Sequence, residues 1–210
     1  TAWVREAQAR WTENPPTGVP CTQIGYDVAQ GGDDRVAISR RYGSYYARIE
    51  THPGIDLPDS GANRDLILKT MTGGGVCWVD ADGIGSQSYG LVRDLLGVQS
   101  FRVQAYRGSA PTKWRDTARV LTFSNTRAAA WWALREALDP TRPDKIQLPP
   151  SRDLRAELTA IRWEAQANGI KIEDKEKIID RIGRSPDLAD AVVMANWGGG
   201  AALAGLLGST

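Results

Sequence analysis

Histidine is almost missing from this chain of 210 residues: His52 is the single one, in a Pro-Gly loop. No Gly-x-Ser-x-Gly motif accompanies it, so a Ser-His-Asp hydrolase lacks both its base and its nucleophile elbow. His52 therefore reads as a surface or lightly packed residue. Cysteine is equally scarce. Cys21 and Cys77 stand far apart in stretches that read as core strands, which excludes a zinc site and favours buried free thiols over a disulfide. No run approaches the roughly 18–20 apolar residues of a membrane span, and an N-terminus bearing Arg5, Glu6 and Arg10 does not read as a signal peptide. A cytosolic protein with no membrane partner is expected. Net charge is also missing, since 26 Lys/Arg against 25 Asp/Glu leave +1. That balance argues against strong free-standing affinity for nucleic acid, although a basic groove beside an acidic site gives the same sum. The halves differ: residues 1–100 hold 9 Lys/Arg against 12 Asp/Glu, and the remainder 17 against 13.

With 41% hydrophobic and 24% charged residues, the chain is long and apolar enough for one domain with a full core. Its organising stretch runs from Thr22 to Asp34. Thr22-Gln23-Ile24-Gly25-Tyr26-Asp27 reads as a central strand ending in a carboxylate, turned by Gly31-Gly32 into a second strand over Arg35–Tyr42. An acid at the end of an apolar strand is costly to bury unless it is paired or bound to metal. Asp27 is therefore either hydrogen-bonded to its own turn or one of several acids that share a cation.

A short helix is expected over 2–12, with Trp3, Ala7 and Trp11 on one stripe and Asn14-Pro15-Pro16 as its stop. A third strand is expected over Ser44–Glu50, then a loop over 52–58. A helix capped by Asp59 or Ser60 runs to about Met71. Val76-Cys77-Trp78-Val79-Asp80 is a continuous apolar run of the kind buried in a parallel sheet, and it also ends in Asp. Ala81-Asp82-Gly83-Ile84-Gly85 opens a helix to about Leu96; a strand over Phe101–Tyr106 follows. The glycines there fit close helix-strand packing better than a dinucleotide fingerprint, whose third glycine is misplaced. Asn125 caps a helix from Thr126 to Leu138, and Ser151 caps another over 152–160. Asn168-Gly169 turns a hairpin, a charged helix spans 174–182, and Ser185-Pro186 supply cap and first-turn proline for a last helix from Asp187 to about Trp197. Three antiparallel strands followed by alternating helices and strands describe an α/β fold with a mixed sheet and helices on both faces.

Three acids thus stand at element ends: Asp27, Asp80 and Asp187. Asp190, three residues beyond Asp187, points the same way. Converging carboxylates cannot all stay ionised unless divalent cations lie among them, and hard oxygen donors suit Mg²⁺ or Mn²⁺. Two such ions would activate water and neutralise charge in phosphodiester cleavage. For Asp187 the ordinary alternative is the helix dipole, which favours acids in a first turn. Asp82 is either a spare ligand or a turn residue.

These residues resemble the nuclease domain of phage terminase large subunits, which has the ribonuclease H-like fold shared with Holliday-junction resolvases. The resemblance runs from Trp3 to about Trp197 and rests on Gly25-Tyr26-Asp27-Val28-Ala29 with Gly31-Gly32-Asp33-Asp34, Val79-Asp80-Ala81-Asp82-Gly83-Ile84-Gly85, Arg107-Gly108-Ser109-Ala110, Asn125-Thr126-Arg127-Ala128 before Trp131-Trp132, and Arg181 to Ala191. It implies a divalent-metal-dependent endodeoxyribonuclease that cuts concatemeric viral DNA during genome packaging. Asp27 would bridge two ions, with Asp80 and Asp187 holding one each and Asp190 matching a fourth acid of the resolvase relatives. In-line hydrolysis would leave 5′-phosphate and 3′-hydroxyl ends. Arg107, Arg127, Lys171, Lys175, Lys177, Arg181 and Arg184 are the expected DNA contacts; the ordinary alternative for a lysine, above all Lys175 and Lys177, is a solvated helix face. The family's ATPase domain would precede this one in a full-length chain, since no Gly-x-x-x-x-Gly-Lys-Ser/Thr occurs here. Residues 1–16 then read as the remnant of an interdomain connection, 17–197 as the nuclease domain and 198–210 as a Gly/Ala-rich flexible tail. A tethered nuclease also need not hold DNA by itself, which accords with the modest charge. Implied partners are double-stranded DNA, the ATPase domain, the small terminase subunit and the portal, in the cytoplasm of the infected host cell. The rival functions are a structure-selective resolvase or exonuclease on the same fold, and a non-catalytic packaging adaptor.

Overall fold

The computed structural model describes residues 1–32 and 34–200, the last two for backbone only. Its sheet has six strands: β1 (Gln23–Asp27), β2 (Arg35–Tyr42), β3 (Tyr45–Tyr46), β4 (Glu50–Pro53), β5 (Val76–Asp80) and β6 (Val103–Tyr106). The order is β3-β2-β1-β5-β6, with β4 also on β2; β1 runs antiparallel to β2 and parallel to β5. The expected α/β mixed sheet is therefore present, and β1 lies at its centre.

Helices cover both faces. On one, α2 (Ser60–Thr70) and α3 (Gly85–Leu96) bury Ile67 and Val92 against Ile24, Tyr26, Ile38 and Val79. On the other, α4 (Thr126–Ala137), α5 (Arg152–Ala160) and α7 (Asp187–Gly200) enclose a core of Trp131, Leu134, Leu154, Val192 and Met194. Local signals set most helix starts. The side chains of Asp59, Asn125 and Ser151 accept the amides of Ala62, Ala128 and Leu154 at 2.8, 2.9 and 3.1 Å. The helix α1 (Ala2–Ala9), within the stretch expected to be a connection remnant, docks on the body: Gln8 donates to the carbonyls of Pro149 and Ser151, and Leu148 donates to that of Ala7. The hairpin β7 (Trp163–Gln166) and β8 (Gly169–Ile172) forms a separate small sheet, followed by α6 (Lys175–Ile182). Cys21 and Cys77 are buried free thiols, as expected.

Several expectations need correction. The third strand is broken: β3 and β4 both pair with β2, but residues 47–49 stand opposite only residues 39 and 40, a bulge in which Ala47 still donates to the Arg40 carbonyl at 2.9 Å and Arg48 makes a bidentate pair with Glu13 at 2.7 and 2.8 Å. His52 and Pro53 belong to β4 rather than to a loop. The β1–β2 connection is not a tight Gly-Gly turn, since it occupies residues 28–34 and Gly31 donates to the carbonyls of Gly54 and Leu57. Strand β6 begins only at Val103, after a 3₁₀ stretch over Gly97–Arg102 that leaves Phe101 exposed. Ser185 does not cap α7; its Oγ is buried without a hydrogen-bond partner among the described residues. The expected tail starts inside α7, which runs to Gly200, and residues 201–210 lie outside the described residues, as does Asp33.

Helix α7 lies unusually close to the sheet, and glycine is the reason. A Cβ on Gly25 would stand 1.9 Å from the Ala191 carbonyl oxygen, and one on Gly198 would stand 1.9 Å from Nε1 of Trp78. Ala191 and Ala195, both fully buried, keep the facing side of the helix thin. Because side chains alternate along a strand, the face that Gly25 turns to α7 is also the face on which Asp27 stands.

This packing predicts that Gly25→Ala destabilises the protein by about 3 kcal/mol in chemical denaturation, because two backbones must separate. Gly90→Ala on α3, where a Cβ meets nothing within 4 Å, is expected to stabilise by up to about 1 kcal/mol.

Candidate metal centre

Parallel pairing of β1 and β5 matches Tyr26 with Val79, so Asp27 and Asp80 follow as neighbours at the carboxyl ends of adjacent strands. The first turn of α7 adds Asp187 and Asp190. Asp27 and Asp187 are only 4% and 7% exposed. The four acids expected from the sequence are therefore gathered at one edge of the sheet.

Their electrostatics record that gathering. Burial pushes the Asp27 carboxyl well above its usual range, the nearby charges of Asp190, Asp80 and Asp187 raise it further, and Lys175 pulls it back. Asp80 is pushed up to about 6, chiefly by burial, with the Asp82 amide at 3.0 Å opposing the shift. Asp190 is raised by burial and by Asp187, against Arg127 and Lys175. Among these acids lies the Lys175 ammonium, 3.9 Å from Asp190 Oδ2. Burial disfavours its charge, but Asp27, Asp190, Asp187 and Asp80 together outweigh burial and hold its pKa above the ordinary lysine value.

The donor set suits a hard divalent cation, being all carboxylate oxygen. As the side chains stand, no group of three or more His, Cys, Asp or Glu among the described residues could hold one ion. Lys175 supplies the central positive charge instead. Four acids nevertheless outnumber the two bases beside them, Lys175 and Arg127, so with all of them ionised negative charge is left over that a divalent cation would take up. In that sense the residues fit such an ion.

Beside the acids runs a groove of about 380 Å³, lined by Asp80, Asp82, Asp190, Arg127, Lys171 and Lys175 among others. Two local contacts shape the segment that leaves β5. Gly85 lets the start of α3 meet the Asp80 carbonyl, where a Cβ would fall 1.8 Å from the oxygen, so close packing is its role. Asp82 is a loop residue: Oδ2 accepts the Ser109 amide at 2.9 Å and Oδ1 the Ser109 hydroxyl at 3.0 Å, pinning the segment after β6. A larger cavity of about 420 Å³ lies between α1, α4 and α5, but Trp3, Trp131, Trp132, Leu134 and Leu138 make it mostly apolar and away from the acids.

The expected DNA-contacting residues divide. Arg127, Lys171 and Lys175 line the groove; Arg127 donates through Nη1 to the Glu173 carbonyl at 2.9 Å, and its buried Nη2 has no hydrogen-bond partner among the described residues. Lys171 pairs with Asp174 at 3.0 Å. Arg107 and Lys177 are exposed outside the groove lining, Arg107 reaching the Ala81 carbonyl at 3.2 Å. Arg181 and Arg184 are engaged elsewhere, Arg181 bidentate on Glu173 at 2.6 and 2.7 Å and Arg184 on Glu157 at 3.1 Å. His52 meets Glu50 at 2.7 Å on β4. Sequence reasoning missed Glu157 and Arg35, which ion-pair behind Asp187; Glu157 in the buried stripe of α5 was its available signal. No helix among the described residues is long and apolar enough to cross a membrane.

No protein-family model matches this chain, and no curated protein does. Solved structures do. The nuclease domain of the large terminase subunit gp2 of bacterial virus Sf6 superposes with a TM-score of 0.69 at 21% identity, covering 92% of this chain and 95% of that one. A lysine-to-alanine variant of the same domain, with manganese and beta-thujaplicinol, gives 0.71 over the same shares at 21% identity. The large terminase nuclease from thermophilic phage G20c, with bound magnesium, gives 0.55 at 12% identity, over 88% of this chain and 84% of that one. The chain has the fold of these nuclease domains.

The acid cluster makes a signed prediction for pH. A carboxyl whose folded pKa is raised stabilises the fold only while protonated; that contribution is full below the ordinary value of 3.8 and is lost as pH rises through about 6 at Asp80. In EDTA, the wild type should therefore lose stability relative to Asp27→Asn as pH rises from 4 to 7. Mn²⁺ at about a hundred times its dissociation constant should restore about 2.7 kcal/mol to the wild type at neutral pH, and less at pH 5, where protons compete for Asp80.

Proposed function

We propose that the chain is a divalent-metal-dependent endodeoxyribonuclease that cleaves concatemeric viral DNA during genome packaging. The observation that carries this reading is the convergence of Asp27, Asp80, Asp187 and Asp190 from β1, β5 and α7 beside a groove that also holds Arg127, Lys171 and Lys175. The shared fold with terminase nuclease domains, including ones that hold manganese or magnesium, supports it.

In this reading Asp27, Asp80 and Asp187 would hold two ions of Mg²⁺ or Mn²⁺, with Asp190 as a further oxygen donor. When bound, the ions supply Lewis acidity at the scissile phosphate and lower the pKa of the attacking water. The chain's own part is positioning and charge balance. Arg127, Lys171 and Lys175 set the basic side of the groove, where their charge would attract the DNA backbone. Arg107 and Lys177 extend the backbone contacts outward; Arg181 and Arg184 already serve Glu173 and Glu157, and we assign them no DNA contact. The products are 5′-phosphate and 3′-hydroxyl ends. The enzyme works within a terminase whose ATPase domain, small subunit and portal bring DNA to it in the infected host cell.

Lys175 seated among the acids favours one rival, a non-catalytic packaging adaptor whose cluster is permanently neutralised by lysine. Supercoiled plasmid separates the two. The nuclease reading expects nicking and linearisation with Mn²⁺ or Mg²⁺, none in EDTA, and at least a ~100-fold loss in folded Asp27→Asn, Asp80→Asn and Asp187→Asn. Absence of cutting together with no Mn²⁺-dependent rise in melting temperature would establish the adaptor.

A further inference from the structure

Behind Asp187 lies an ion network that neither local helix stability nor DNA contact explains. Glu157 on α5 is completely buried, and its two oxygens do different work. Oε2 accepts the Ala189 amide at 3.0 Å, in the first turn of α7. This is the bond that an N-cap side chain normally supplies, and Ser185, which stands where such a cap would come from, leaves its hydroxyl unpaired. Oε1 accepts from Arg35 Nη2 at 3.2 Å and from Arg184 Nε at 3.1 Å. Arg184 also reaches Asp153 at 3.1 Å, and Arg35 turns its Nε to Asp187 Oδ2 at 3.5 Å.

A serine or aspartate beside the helix start would cap α7 without burying an ion pair, which is a costly way to stabilise a helix. What the network adds is reach: Glu157 fixes the Arg35 fork, and the fork touches Asp187 on one oxygen only. Oδ1 accepts no hydrogen bond among the described residues. We propose that Arg35 and Glu157 are positioning residues that orient Asp187, Glu157 holding the guanidinium and the guanidinium holding Oδ2, so that Oδ1 is presented to a divalent cation. This rests on the nuclease reading of the same site. The planar fork matters because a lysine cannot bind a glutamate and an aspartate at fixed angles simultaneously.

The sign of the effect on metal affinity tests this. Removing a positive charge beside a cation site tightens binding by electrostatics alone, whereas losing the orientation of a ligand weakens it, typically by 10–100-fold. Titration of the EDTA-treated protein with Mn²⁺ by calorimetry, with melting temperatures measured alongside, is expected to show at least ~10-fold weaker binding in Arg35→Gln and in Glu157→Gln. Glu157→Gln keeps a carbonyl for the Ala189 amide, so loss through the cap alone is avoided. The double variant is expected to be no worse than the weaker single one, because the two act in series. Arg35→Lys, which keeps the charge and lacks the fork, should also bind more weakly; it decides the matter if Arg35→Gln does not fold. Unchanged or tighter Mn²⁺ binding in a folded Arg35 variant would overturn the inference while leaving the nuclease reading intact. A wild type that binds no Mn²⁺ at all would overturn both.

Discussion

At Gly25 the backbone of α7 rests on the backbone of β1, and the position of half the acid cluster follows from that contact. A helix held at ordinary side-chain distance from the sheet would carry Asp187 and Asp190 away from Asp27. Glycine at 25 and 198, with alanine at 191 and 195, removes the intervening layer, so carboxylates from a strand end and a helix start face one another. The rest of the site is built outward from there. Asp80 comes by parallel register, the segment after it is shaped by the close turn at Gly85, and the Asp82–Ser109 clasp lines the groove.

Bringing four acids together opposes folding unless their charge is answered. The protein answers in two layers. Lys175 stands directly among the carboxylates, drawn there against the cost of its own burial, while Arg35 and Arg184 neutralise Glu157 and steady Asp187 from behind. That compensation does not cancel the effect of burial, and Asp27, Asp80 and Asp190 hold their protons more tightly than exposed acids do. A site poised in this way gives up protons when a cation arrives, which couples metal binding to pH and to stability.

Features with a local cause were legible in the sequence. The apolar strands ending in Asp27 and Asp80, the first-turn acids at 187 and 190, and the caps at Asp59, Asn125 and Ser151 each depend on residues a few positions apart. Features decided across the fold were not. Ser185-Pro186 has the form of a local helix start, yet the capping bond comes from Glu157 on another helix. Lys175 has the pattern of a solvated helix face, and only the folded chain turns it toward the acids. The strand expected over Ser44–Glu50 is interrupted by a bulge of one extra residue against β2, a register fixed by the pairing of distant strands, and Arg48 within it finds Glu13, 35 positions away. Arg181 and Arg184 looked available for DNA for the same reason: their partners Glu173 and Glu157 are brought to them by tertiary packing.

The central claim is that the four carboxylates are a cation site which Lys175 compensates in the metal-free protein. Crystals of the wild-type protein grown with Mn²⁺, read by anomalous scattering at the manganese edge, test it most directly. The account predicts anomalous density in contact with Asp27 and Asp80 and with at least one of Asp187 and Asp190, accompanied by displacement of the Lys175 ammonium from among them. Manganese bound elsewhere, or an acid cluster still closed around Lys175 at saturating Mn²⁺, would contradict it.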